Sequence, residues 1–122
     1  MSRGLKYMFI KIIEQSIAHS ELVEFAKDVF GDFVKAVVDL ERGIMAIGGE
    51  LHADEEALLL EQGSKQSNLW GINLHVDRKG EDFVEFDSMI NIRPSQNNRS
   101  RGVEDPETRK LITAVVARLV GN

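Results

Sequence analysis

The stretch NIRPSQNNRSRGVED, residues 91–105, concentrates side chains that recognise anions. Its arginines offer planar, forked donors that match a carboxylate or a phosphate, and the neighbouring amides can orient a bound group. The candidate ligand-binding residues are Asn91, Arg93, Asn98, Arg99 and Arg101. The sequence therefore predicts that this loop binds an anionic small molecule bearing a phosphate, nucleotide or carboxylate group.

Two other interpretations of the same loop stay open. Glu104, Asp105 and Glu107 follow the arginines at once. They can pair with the arginines, which would make the loop a structural clasp held by ion pairs and by hydrogen bonds from side chains to the backbone. A long polar loop can also contact a protein or nucleic-acid partner.

Two histidines and two carboxylates form a second chemically active group. His52, His75, Glu85 and Asp87 are weak catalytic candidates, since imidazole and carboxylate groups transfer protons. No nucleophile-elbow, phosphate-loop or dinucleotide-binding pattern accompanies them. The sequence therefore favours binding over catalysis, and a solvated sheet face without function is the simpler alternative.

A metal site is not expected. Glu50, His52 and Asp54 have a spacing that would place three metal-binding side chains on one side of a strand. Along a strand they would span about 13 Å, too far to ligate one ion. The chain has no cysteine, which excludes thiolate zinc sites and cysteine nucleophiles. We expect neither metal nor cofactor.

Alternation of apolar residues predicts the strands that position these groups. FVKAVVDL and IMAIGGELH indicate a hairpin around Glu41-Arg42-Gly43. NLWGINLHV and DFVEFDSMINIR predict two further strands, and residues 9–17 suit a short strand or a lead-in segment. Residues 53–62 are ambiguous. Their first acids favour a helix start, but alternating leucines before a turn favour a strand in a second hairpin, which we prefer.

Two amphipathic helices are predicted, at about 21–30 and 106–120. Ser20 suits the N-cap of the first, and Gly31 suits its end. For the second helix, Asp105 is the expected cap and Pro106 the first residue.

The predicted fold is α+β: a mostly antiparallel meander sheet of about five strands, with both helices packed on one face. Trp70 shares the apolar face with Ile72 and Leu74, so we expect it in the core. A hairpin around 77–82 would put Asn73 roughly opposite Glu85 or Asp87. The residues expected on the opposite, polar face are Lys35, Asp39, Glu50, His52, Asn73, His75, Glu85, Asp87, Asn91 and Arg93.

Length and charge limit the remaining functions. A chain of 122 residues fits one domain, predicted at 8–122 after a flexible extension at 1–7. The net charge of −5 argues against non-specific nucleic-acid binding. No run approaches the 18 or so apolar residues of a membrane span, and no signal peptide is evident. We therefore interpret the protein as cytoplasmic, without a membrane partner.

The segments GELHADEEALLLEQGSKQSNLWGIN and EFDSMINIRPSQNNRSRGVEDPE resemble the signature stretches of a small protein family of unknown function from bacteria and archaea. The similarity runs from about Met8 to the end of the chain. The resemblance implies one domain over the whole chain, and it implies no activity, cofactor or catalytic residue.

Two functions from different classes follow. The first is binding of an anionic small molecule, which predicts a concave pocket. The second is a non-catalytic interaction module, a homodimer that uses a sheet edge or the polar face with Trp70, Phe83 and Met89. In the second case the loop at 91–105 is a clasp whose arginines pair with the protein's own acids.

Overall fold

The computed structural model describes residues 9–121. Three α-helices and a five-stranded sheet confirm the predicted α+β class. The elements, in chain order, are β1 (Lys11–Ile13), α1 (His19–Val29), β2 (Phe33–Asp39), β3 (Ile44–Ile47), α2 (His52–Glu61), β4 (Leu69–His75), β5 (Val84–Glu85) and α3 (Pro106–Leu119). None of these helices has the length and apolar composition that a membrane crossing requires. The predicted extension at 1–7 lies outside the described residues.

The sheet has the strand order β1-β3-β2-β4-β5, and every neighbouring pair is antiparallel. This order differs from a simple meander, because β1 lies outside β3 and the long strand β2 occupies the centre. β2 and β3 form the predicted hairpin. Gly43 has a φ of 65° in its turn, and the Asp39 carboxylate accepts the backbone N–H of Glu41 at 2.9 Å and of Arg42 at 3.0 Å.

One face of the sheet packs against α1 and α3, as predicted. Trp70 is only 7% exposed there, which confirms its assignment to the core. The core side chains on this face come from both helices and from the central strands: Leu22, Ala26, Val34, Ala36, Val38, Ile72, Leu74, Ile112, Val116 and Leu119.

The preferred second hairpin is wrong, because residues 53–62 lie mostly within helix α2. Leu58 and Leu59 are both buried while Leu60 is 40% exposed, which fits a helix and not a strand's alternation. Leu59 packs on a second apolar cluster that includes Val37 and Leu69. This cluster lies on the sheet face opposite α1 and α3, so that face also needed a covering element.

The long strand predicted at 82–93 is also wrong beyond Glu85. The chain leaves the sheet after β5 and makes short 3-10 turns at Met89–Asn91 and Pro94–Gln96. The Asn91 carboxamide takes the place of a strand residue: it accepts the Gly71 N–H at 2.8 Å and donates to the Gly71 carbonyl at 2.9 Å. A side chain thus completes the ladder where the backbone does not.

The predicted helix ends are mostly confirmed. The Asp105 carboxylate accepts the Glu107 N–H at 3.0 Å, and Gly31 has a φ of 97° just after α1. The Ser20 cap is wrong, since α1 begins at His19 and Ser20 lies inside its first turn.

Candidate functional site

Arg93 is an internal anchor of the loop at 91–105. Its guanidinium is 4.2 Å from the centre of the Trp70 ring, and it donates to the carbonyls of Gln66 and Leu69. The residue is only 9% exposed. Arg93 therefore fastens the loop to the start of β4, and the predicted grip on a ligand does not describe its contacts.

Asn91 and Asn98 are likewise committed to the protein. Besides its pairing with Gly71, Asn91 donates to the Arg101 carbonyl at 3.0 Å. Asn98 donates at 2.8 Å to the carbonyls of Asn91 and Gly102, and accepts the Glu104 N–H at 2.8 Å. Both side chains are buried, so they shape the loop and present no free amide at its surface.

The other two arginines of the loop remain exposed. The Arg101 Nε donates to the Asp87 Oδ1 at 2.6 Å, with the Arg101 side chain 55% exposed. The Arg99 backbone N–H donates to the Glu104 carboxylate at 2.8 Å, and so does that of Ser100 at 2.9 Å. These bonds, led by the one from Arg99, lower the pKa of Glu104. Asp87 thus holds the Arg101 Nε, while the terminal nitrogens of Arg101 and the Arg99 side chain form no hydrogen bond within residues 9–121.

A cluster of charged and imidazole side chains lies on the sheet face opposite α1 and α3, beside α2. We call it the polar face, and its members are Lys35, His52, Asn73, His75, Glu85, Asp87 and Arg101. Lys35, Asn73 and Glu85 form a row across β2, β4 and β5, because the register pairs Lys35 with Asn73 and Asn73 with Glu85. The predicted pairing of Asn73 with Glu85 is confirmed.

Glu85 is the centre of a hydrogen-bonded group on this face. His75 Nε2 lies 3.0 Å from the Glu85 Oε1, and the Asn73 amide donates to the same oxygen at 3.0 Å. The bonds from His75 and then Asn73 lower the pKa of Glu85, so it is ionised at neutral pH. The ionised oxygen can only accept, and His75 therefore donates from Nε2 and keeps Nδ1 as the nitrogen that faces other partners.

His52 adds a neutral imidazole. Its Nε2 lies 2.7 Å from the Ile72 carbonyl, which can only accept, so this nitrogen carries the proton. Burial lowers the pKa of His52 from 6.5 to about 4, and Lys35, Asp87 and Arg101 are near enough to act on it electrostatically. At neutral pH the ring is uncharged, and its Nδ1 has no hydrogen-bond partner among residues 9–121.

Glu55, on the side of α2 that packs on the protein, lies next to this face. It was not among the candidates predicted from the sequence. It is fully buried, and one of its oxygens accepts the Gly49 N–H at 2.9 Å. The other oxygen has no partner in the described part of the chain. Burial raises the pKa of Glu55 well above its usual value. The sequence did not indicate that Glu55 is buried, because Glu55 lies in the stretch whose assignment to helix or strand was ambiguous.

The four catalytic candidates His52, His75, Glu85 and Asp87 lie together, with Arg101 beside them. Only His75 and Glu85 do so as strand residues, because His52 begins α2 and Asp87 follows β5. Three predicted ligand residues, Asn91, Arg93 and Asn98, do not join them as free groups. Asp39 keeps the alternation of β2, but it is 1% exposed because its carboxylate accepts backbone N–H groups of the hairpin turn and the Ser64 hydroxyl. Glu50 precedes α2, and His52 and Asp54 lie in its first turn, so the three residues do not share a strand. Within residues 9–121 no three His, Asp or Glu side chains are grouped to hold a metal.

Comparisons with known proteins identify a family. No curated protein and no solved structure matches the chain. Residues 11–119 match the model of DUF5674, described as a protein of unknown function. The match covers most of the 122 residues, and the chain therefore belongs to this family of unknown function.

Proposed function

We propose that the polar face binds a small molecule carrying a carboxylate or phosphate group. The observation that carries the proposal is the grouping of Arg101 and Lys35 with two imidazoles. Arg101 uses Nε on Asp87, and its terminal nitrogens have no partner within residues 9–121. A guanidinium with two free donors suits a bidentate contact with an anion.

The neutral groups of this face support orientation of the bound molecule. The Nδ1 atom of His52 is the natural acceptor for a hydroxyl or amino group, because this ring is neutral and its Nε2 is committed to the Ile72 carbonyl. Asp87 and Glu85 balance the two cations, so the face as a whole does not attract anions indiscriminately. The best-supported ligand is thus an anion that also carries hydrogen-bond donors.

The proposed activity is binding, without catalysis. The His75 and Glu85 pair has the geometry of a general base with its orienting carboxylate, but the sequence has no recognised nucleophile or cofactor motif. The absence of cysteine accords with the predicted cytoplasmic location.

A thermal-shift screen with inorganic phosphate, succinate and adenosine monophosphate tests this proposal. A ligand that binds only the folded state at 100 times its Kd adds about 2.7 kcal/mol of stability. We expect one anion class to raise the Tm of the parent by several degrees, and Arg101→Gln to abolish the rise. Arg99→Gln is the matched control, because it removes an exposed loop arginine whose side chain has no hydrogen bond or ion pair to the polar face within residues 9–121. Equal shifts in the parent and Arg101→Gln, or no shift with any anion, would reject the proposal.

The alternative remains a homo-oligomeric interaction module with a clasped loop. The internal contacts of Asn91, Arg93 and Asn98 favour the clasp. Met89, which precedes the loop and was a predicted contact residue, is 64% exposed. Trp70 is buried, so the proposed dimer would not use it as a contact residue. Sedimentation equilibrium distinguishes the two: the module predicts a dimer that Met89→Glu dissociates, whereas a monomer at micromolar concentration excludes it.

A further inference from the structure

A groove separate from the polar face runs between α3 and the edge of the sheet. It consists of two adjoining cavities of about 840 and 810 Å³, which share Gly80, Val84, Thr113 and Ala117. Phe83 and Phe86 contribute apolar wall on the sheet side. The groove follows α3, whose 14 residues span about 21 Å.

The sheet edge that opens on this groove has free backbone groups. His75 N–H bonds to the Phe83 carbonyl at 2.8 Å, and Asn73 faces Glu85 in register. In an antiparallel ladder the backbone groups alternate in direction, so the C=O of Phe83 and the backbone groups of Glu85 point toward β4. The N–H and C=O of Val84 and the N–H of Phe86 point to the other side, away from the sheet. Neither outward residue has a backbone hydrogen bond on that side within residues 9–121.

Side chains cover part of the side of β4 that faces away from β2. Farther along the same side of β4, the Asn91 amide covers Gly71 and the Arg93 guanidinium covers the Leu69 carbonyl. Folded proteins cover or charge their open strands in this way because an open edge pairs with other chains. Within residues 9–121 the outer side of β5 has no such cover, and it lies beside the groove.

The charges around the groove define its occupant. Arg78, Lys79, Arg109 and Lys110 line it together with only two acids, Asp77 and Glu81. Lys110 also pairs with Glu107 at 3.4 Å, so four cations and three carboxylates give a local excess of one positive charge on a chain whose net charge is −5. Arg78, Lys79 and Arg109 form no side-chain ion pair in the part of the chain that the structure describes. The complementary occupant is acidic, with apolar side chains for the wall.

We infer that the groove binds an extended acidic segment of a partner protein, which adds beside β5 as a further strand of the sheet. The outward groups of Val84 and Phe86 supply the backbone hydrogen bonds, and a strand of about six residues spans the roughly 20 Å of the groove. Phe83, Phe86 and the alanines of α3 receive alternate apolar side chains, and Arg109 contacts the acids.

The test uses fluorescein-labelled nine-residue peptides in which Val or Ile alternates with Asp or Glu, and a second set with Lys in place of the acids. Fluorescence anisotropy should show saturable binding of the acidic set alone. Ala117→Phe fills the groove from an exposed helix position and should weaken binding at least tenfold. The matched control Ala53→Phe, at an exposed position of α2, should leave it unchanged, and so should Arg101→Gln on the polar face. Arg109→Glu should weaken binding, whereas Lys65→Glu elsewhere on the surface should not.

Backbone methylation of the peptide separates strand addition from charge attraction, and it leaves the protein unaltered. N-methyl groups on every second residue remove the donors of one edge. We expect one methylated register to lose binding and the other to retain it. Equal binding of both registers would overturn the inference, as would failure of every acidic peptide to bind the parent. A parent dimer that Ala117→Phe converts to monomer would also overturn it, in favour of a second copy in the groove.

Discussion

Asn98 illustrates how one buried side chain can organise a loop. The side-chain NH₂ of Asn98 donates to the carbonyls of Asn91, Ser100 and Gly102, and its oxygen accepts the Glu104 N–H. Buried polar groups of this kind are costly to leave unpaired. The amide is therefore the structural centre of the clasp, and the sequence alone could not separate this use from ligand binding because both require asparagine in a polar loop.

The first prediction concerns this amide. Asn98→Ala leaves three carbonyls and one N–H of the loop backbone without their partner, so we expect a loss of about 3 kcal/mol in the free energy of unfolding. Gln96→Ala, in the same loop but exposed, should cost less than about 1 kcal/mol. Urea unfolding of both variants measures the difference. Equal small losses would show that the clasp contributes little stability.

His52 makes stability depend on pH. Its pKa is 6.5 when exposed and about 4 in the folded protein, so the unfolded chain binds more protons between these values. The stability contributed by the neutral ring is present above pH 6.5 and is lost as pH falls toward 4. From pH 7 to pH 5 the loss should be about 2 kcal/mol.

The variant His52→Gln isolates this contribution. Glutamine can still donate to the Ile72 carbonyl but does not titrate, and Glu55 titrates in both proteins and cancels in the comparison. We expect the difference in unfolding free energy between parent and variant to change by about 2 kcal/mol between pH 7 and pH 5. Parallel pH curves would show that His52 titrates normally in the fold.

At the scale of elements, the sequence predicted those whose apolar pattern is uninterrupted. β2, β4 and α3 have one clear period each, and they lie where expected. The two errors have physical causes. α2 covers a small apolar patch with three adjacent leucines, a pattern that fits either period. Residues 86–93 alternate like a strand, yet tertiary hydrogen bonds from Asn91 replace their backbone in the ladder.

Leucine truncation tests the identity of α2 directly. Leu59 is fully buried and Leu60 is 40% exposed. We expect Leu59→Ala to lower the free energy of unfolding by about 3 kcal/mol, and Leu60→Ala by less than about 1 kcal/mol. A strand at these residues would reverse the outcome, since Leu58 and Leu60 would then share the buried face. Urea unfolding of the two variants decides between helix and strand.

At the scale of the whole molecule, the layers explain where a site can form. α1 and α3 cover one face of the sheet, while α2 covers the second apolar cluster on the other. The remaining part of that face, near the ends of β4 and β5, is left to polar side chains. The polar face is thus the uncovered half of a layer, and the clasped loop brings Arg101 to its border. The alternation of residues predicted a polar sheet face. The contact of Arg101 with it depends on how the loop folds, which the sequence pattern did not predict.

The most direct test of this account is a titration of the isotopically labelled protein with inorganic phosphate and with succinate, followed by two-dimensional ¹H–¹⁵N NMR. The account predicts saturable shifts of the backbone amides at Asn73, His75, Glu85 and Arg101 with at least one of the two anions, and little change in the groove beside α3. Shifts centred on Arg93 and Asn98, or no saturable shift with either anion, would contradict the claim that the polar face is the binding site.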